Sequence, residues 1–271
     1  MKQIPNLFTL LNLIFGCIAI VFILETGETI VALDATGATQ VVFPEKMYWG
    51  GMFIFGAAVI DFLDGFLARL FKASSEMGKQ LDSLSDVVSF GVAPSMILYQ
   101  LLRLSYAQQD NGLDVSVLLL FPAFIVAGAA AWRLAKFNIS TNQSHSFRGV
   151  PSPAAGLLIA SFPLIIWYQY FNLETYFINK WILYLVIIII SYLMVCDQRF
   201  MAMKFRDYSV KNNLPRYSLL VLSIIALIWM RWFAVPVIFI LYLLFSLFWK
   251  EGDDITVKSV NTSKDTIDLT V

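Results

Sequence analysis

Apolar runs recur along this chain at roughly residues 7–24, 47–60, 87–104, 115–135, 153–171, 181–197, 217–232 and 233–249, with polar stretches between them. Most of them approach the ~20 residues that an α-helix needs to cross a bilayer. The pattern predicts an all-α, polytopic integral membrane protein with eight transmembrane helices. The second run is short as pure hydrocarbon and must continue through Asp61 and Asp64. Arg231 and Pro236 divide the last two runs, so a count of seven is the alternative. The expected organisation is a six-helix membrane core over 1–200, two additional transmembrane helices over 201–249, and a polar cytoplasmic tail over 250–271.

Composition agrees with the pattern. Apolar residues make up 59% of the chain, charged residues 14%, and the mean hydropathy is +0.73, against about 25% charged residues in soluble domains. The first apolar run has only a weak basic region before it and no A-x-A-like site before Glu25, so it reads as a retained helix and not a cleaved signal. Cys17 and Cys196 fall inside apolar runs and read as buried small hydrophobes, with no disulfide expected. His145, the single histidine, sits in a polar loop and excludes a histidine-rich metal site.

Charge orients the helices. Lys and Arg favour cytoplasmic loops. With the N-terminus inside, 15 of the 19 basic residues fall on inside segments, and only Lys46, Arg103, Lys180 and Arg231 fall outside. The Asp-rich segment and the tail are thus expected in the cytoplasm, and residues 25–46 on the other side.

The chemistry is concentrated in DFLDGFLARLFKASSEMGKQLDSLSD, residues 61–86. At about 100° per residue, Asp61, Asp64, Gly65 and Ala68 share one helix face, and Gly78, Asp82, Ser85, Asp86 and Ser89 share a face of the next helix. Four carboxylates therefore converge. Like charges gathered beside hydrocarbon repel one another and resist burial, and hard cations relieve both costs. Oxygen ligands without His or Cys favour Mg, Mn or Ca over Zn or Cu. Two such ions about 3.5–4 Å apart are a known device for phosphoryl displacement. Gly65 and Ala68, with Gly78 before Asp82, leave room for a ligand or a neighbouring backbone. Arg69 offers a planar fork suited to phosphate.

These residues reproduce D-x2-D-G-x2-A-R-x8-G-x3-D-x3-D at every position, and the chain on this basis resembles the CDP-alcohol phosphatidyltransferases. The resemblance implies a membrane enzyme with a six-helix catalytic core, commonly homodimeric, that cleaves a CDP-linked lipid, releases CMP and passes the phosphatidyl group to an alcohol. It implies Asp61, Asp64, Asp82 and Asp86 as ligands of Mg2+ or Mn2+, two ions in all, with Asp86 also the base. CDP-lipid binding then falls to Asn6, Thr9, Gly65, Ala68, Arg69 and Gly78. The expected location is the inner, cytoplasmic membrane of the cell, with the site facing the cytoplasm among membrane lipids; no nucleic-acid partner is expected.

Flanking residues bear on the acceptor alcohol. Phosphatidylglycerophosphate synthases usually carry Pro after the third aspartate and Lys after the fourth, where this chain has Ser83 and Val87. IPNLFTLLNL at 4–13, LDSLSDVVSFGVAPS at 81–95, RLAKFN at 133–138 and FRGVPSPAAG at 147–156 are similar instead to the bacterial type II phosphatidylserine synthases. That similarity implies CDP-diacylglycerol and L-serine as substrates, and it makes Arg133 and Arg148 candidates for the serine carboxylate or the lipid phosphate. Transfer to glycerol 3-phosphate or inositol phosphate is the alternative. A cation-coupled transporter is the rival from another class, but no second copy of the Asp-rich hairpin is present.

Overall fold

The computed structural model describes residues 4–25, 31–33, 39–41, 43–71, 75–109, 115–139, 147–169, 173–200 and 213–248. His145 and the tail from 250 lie outside the described residues. Helices dominate: α1 (Ile4–Leu24), α2 (Lys46–Leu70), α3 (Glu76–Asp86), α4 (Ala93–Ala107), α5 (Ile125–Ile139), α6 (Ser152–Tyr168), α7 (Glu174–Phe177), α8 (Lys180–Val195), α9 (Leu214–Met230) and α10 (Ala234–Phe248). Two antiparallel strand pairs accompany them, β1 (Val31–Leu33) with β2 (Thr39–Val41), and β3 (Phe147–Arg148) with β4 (Arg199–Phe200).

Each of the eight expected spans has a helix at its centre, and among the described residues five helical runs are long and apolar enough to cross a membrane, Pro5–Leu24, Lys46–Leu70, Glu76–Ala107, Val117–Ile139 and Leu214–Leu247, with Ser152–Tyr168 and Lys180–Val195 as shorter apolar helices. The second run is 25 residues long and carries Asp61 and Asp64 on its later turns, as its short apolar stretch requires. The third reaches further back than its apolar stretch. A six-residue π-helical segment, Val87–Val92, joins α3 to α4 without a break, so Asp82 and Asp86 lie on the first turns of a 32-residue helix. Leu214–Leu247 is divided where Arg231 takes φ 50°, and α9 and α10 pack on each other.

Helix α1 shows how the molecule meets its surroundings. Pro5, Thr9, Asn12, Gly16, Ala19 and Ile23 form its buried stripe, while Leu7, Ile14 and Val21 are exposed. Polar groups face inward and hydrocarbon faces outward, the arrangement that lipid as solvent favours. Cys17 corrects the expectation of burial: it lies on the exposed side of α1. A thiol facing lipid tails loses nothing by exposure, because the tails are as apolar as a protein interior.

Contacts sort the helix termini into two ends. At one, Lys46 pairs with Glu25 at 2.9 Å, and Tyr106 and Tyr184 hydroxyls meet at 3.0 Å. At the other, Asn138 donates to Ser83 at 2.8 Å, Lys136 pairs with Asp197, and β3 pairs with β4. The aspartates occupy this second end. Here Ser75 caps α3, its Oγ accepting the Gly78 N–H at 3.0 Å, with Glu76 in the first turn where the helix dipole favours a negative charge.

Candidate active site

Late α2 and early α3 bring three carboxylates together. Asp61, Asp64 and Asp82 each offer an oxygen, and these atoms lie within 4.8 Å of one another. Asp64 is buried, and Asp61 and Asp82 are half-buried. Asp86, one turn beyond Asp82 and buried, adjoins this group at Asp61, which is within hydrogen-bonding reach of both Asp82 and Asp86. The two helix faces expected from spacing do converge.

The donor set suits a hard divalent cation. It is all carboxylate oxygen, compact enough for one ion to be shared by three side chains, and open to further ligands on the side of Gly65, where an added Cβ would meet nothing within 4 Å. Thr9 Oγ1 donates to Asp64 Oδ2 at 2.6 Å, orienting one of the three in the way outer partners of ligating carboxylates commonly do.

Helix α1 lines the other side. Asn6 lies against Gly78, where a Cβ would come 2.9 Å from Asn6 Oδ1, so glycine is what lets the two approach. The Thr9 hydroxyl, expected to meet the CDP-lipid, lies in the site with its proton directed at Asp64 Oδ2. Ala68 is half-buried and Arg69 exposed on the last turns of α2.

Arg133 is buried on α5 and donates through Nη1 to Ser152 Oγ at 3.2 Å, while its Nε has no partner among the described residues. Its guanidinium interacts electrostatically with Asp86 and with Tyr242 of α10. Arg148 is placed by its backbone on β3, opposite Arg199; its side chain lies outside the described part of the structure.

Sequence reasoning passed over three participants. Asn12, fully buried, donates from Nδ2 to Asp86 Oδ1 at 3.4 Å. It stands one turn after Thr9 in an otherwise apolar helix, and that spacing was the available signal. Ser152, inside FRGVPSPAAG, and Tyr242, on the penultimate turns of α10, had no signal of comparable strength.

Comparison with known proteins gives this arrangement its setting. The family model described as CDP-alcohol phosphatidyltransferase matches residues 2–192. A Helicobacter pylori protein named CDP-diacylglycerol–serine O-phosphatidyltransferase is 33% identical over 232 residues, spanning 84% of this chain and 81% of its own. A Bacillus subtilis protein of the same name is 34% identical over 164 residues, or 60% of this chain and 77% of its own. An archaetidylserine synthase of Methanothermobacter thermautotrophicus is 36% identical over 115 residues, or 42% of this chain and 45% of its own. The matched residues hold the whole Asp61–Asp86 constellation together with α1 and Arg133, and the chain belongs to the CDP-alcohol phosphatidyltransferase family.

Proposed function

We propose that this protein transfers the phosphatidyl group of CDP-diacylglycerol to the hydroxyl of L-serine, giving phosphatidylserine and CMP. The observation that carries the reading is the buried Arg133 guanidinium within electrostatic range of Asp86, which adjoins the Asp61–Asp64–Asp82 cluster. An acceptor with a carboxylate next to its reacting hydroxyl fits such a pair, because a guanidinium receives a carboxylate while the neighbouring Asp takes the proton. The relatives named for serine transfer support the same acceptor.

The chain's own residues do the following. Asp61, Asp64 and Asp82 hold two Mg2+ or Mn2+ ions, with Asp86 contributing. Bound there, the cations supply positive charge to the pyrophosphate of the CDP-lipid. Gly65 and Ala68 leave the space beside the carboxylates in which that pyrophosphate lies, with Asn6, Gly78 and Arg69 around the CDP-lipid. Asp86 accepts the proton of the serine hydroxyl. The serine oxygen forms its bond to the phosphorus that bears diacylglycerol, and the phosphorus–oxygen bond to CMP breaks, CMP leaving with the electron pair. Arg69 faces the departing charge, and Arg133, with Arg148, retains the serine carboxylate.

Metal removal tests this chemistry. Purified protein in detergent should lose CMP release from CDP-diacylglycerol and serine in EDTA, and regain it when Mg2+ or Mn2+ is returned. Full turnover in a metal-free preparation would contradict the role given to the three carboxylates.

The distribution of basic residues further supports a site facing the cytoplasm. Single cysteines at Glu45 and Lys79, both exposed, in a background lacking Cys17 and Cys196, should then react with an impermeant reagent from opposite sides, Lys79→Cys from the cytoplasm. Reaction of both from one side would overturn this topology.

A further inference from the structure

We infer that Asn12 is a positioning residue for Asp86, holding that carboxylate in the orientation from which it takes the acceptor's proton. The inference rests on the phosphatidyl-transfer reading above. Its starting point is an anomaly of burial: an asparagine with no exposed surface, in the middle of an apolar membrane helix, is costly unless its amide is used. The Asn12 amide makes one hydrogen bond among the described residues, from Nδ2 to Asp86 Oδ1, and its Oδ1 has no partner there.

The backbone around Asn12 makes that contact fixed. Its carbonyl accepts the Ser89 hydroxyl at 3.0 Å, and one turn earlier the Thr9 carbonyl accepts the Ser85 hydroxyl at 3.0 Å. One turn later, a Cβ on Gly16 would lie 2.9 Å from Ser89 Cα, so the two helices touch backbone to backbone. Helix α1 is thereby locked in register against α3 and the π-helical segment that follows Asp86. The Asn12 amide thus meets Asp86 at Oδ1 from the side of α1. Thr9 does for Asp64 what Asn12 does for Asp86, so a single stripe of α1 orients one carboxylate of the cation cluster and, separately, the base.

The two contacts predict opposite signatures. Asn12→Leu keeps the side chain's volume and removes the donor. It should lower kcat ~10- to 100-fold, the usual cost of losing an outer partner of a site. KM for serine, KM for CDP-diacylglycerol and the Mn2+ affinity of the substrate-free protein, read by electron paramagnetic resonance of free Mn2+, should stay within about threefold. Thr9→Val should instead weaken Mn2+ binding in the same titration. Asn12→Ala is made in parallel, and thermal melting of each variant shows that it is folded. Unchanged kcat in folded Asn12 variants would overturn the inference and leave the functional reading standing, as would a loss carried by KM or by Mn2+ affinity. Absence of CMP release by the wild-type protein would overturn both.

Discussion

Asp86→Asn should lower turnover by at least ~10²- to 10⁴-fold, the range associated with loss of a general base, while binding of CDP-diacylglycerol weakens far less. The substitution keeps the shape of a buried side chain and removes its capacity to accept a proton, together with one negative charge. Asp86 adjoins the cation cluster at Asp61 without belonging to the three carboxylates that share a centre. Loss of its charge therefore disturbs cation binding at the margin, and loss of its basicity falls on the chemical step. Single-turnover rates with serine in excess, set beside separately measured CDP-lipid binding, distinguish the two contributions. Restoration of Asp86→Asn to near wild-type turnover by high Mg2+ or Mn2+ would mean that Asp86 is a ligand only, and the base would have to be another group.

Asp61→Asn and Asp64→Asn should fail in the complementary way. Each removes one of three converging carboxylates, and Asp64→Asn also alters the acceptor of the Thr9 hydroxyl. The concentration of Mg2+ or Mn2+ giving half-maximal activity should rise by more than the ~10- to 100-fold produced by losing merely an outer partner of a metal ligand. At high concentrations of either ion, turnover should recover in part. Metal titrations of the three Asn variants side by side provide the measurement. A loss in Asp61→Asn and Asp64→Asn that no ion concentration relieves would assign these carboxylates a part in the chemical step.

Much of this site could be read from the chain because its signal is local. Four aspartates at two helical spacings in a stretch bounded by hydrocarbon point to one another without knowledge of the rest of the fold. The apolar runs were equally legible, since length and hydropathy alone place a helix in a bilayer. The helical face from Gly78 to Ser89 was legible too, but the π-helical step over Val87–Val92 that carries it into α4 was not, because it depends on how that segment packs against α1 and α5. Thr9 illustrates the limit most clearly. Its position at the start of α1 suggests a CDP-lipid contact, but its hydrogen bond to Asp64 depends on where that residue lies, 55 residues further on. Arg133 is legible as a candidate for the serine carboxylate or the lipid phosphate through the resemblance; that it is buried within electrostatic range of Asp86 follows from the packing of α5 against the π-helical segment, which no local pattern encodes.

The most direct test of the central claim is product identity. Purified protein is supplied with CDP-diacylglycerol, Mn2+ and, in separate reactions, L-serine, glycerol 3-phosphate, inositol or inositol phosphate, and the extracted lipids are identified by mass spectrometry alongside CMP release. The account predicts phosphatidylserine with stoichiometric CMP in the serine reaction and no lipid product above background in the others. Phosphatidylglycerophosphate or a phosphatidylinositol compound as the product, with serine inert, would contradict it.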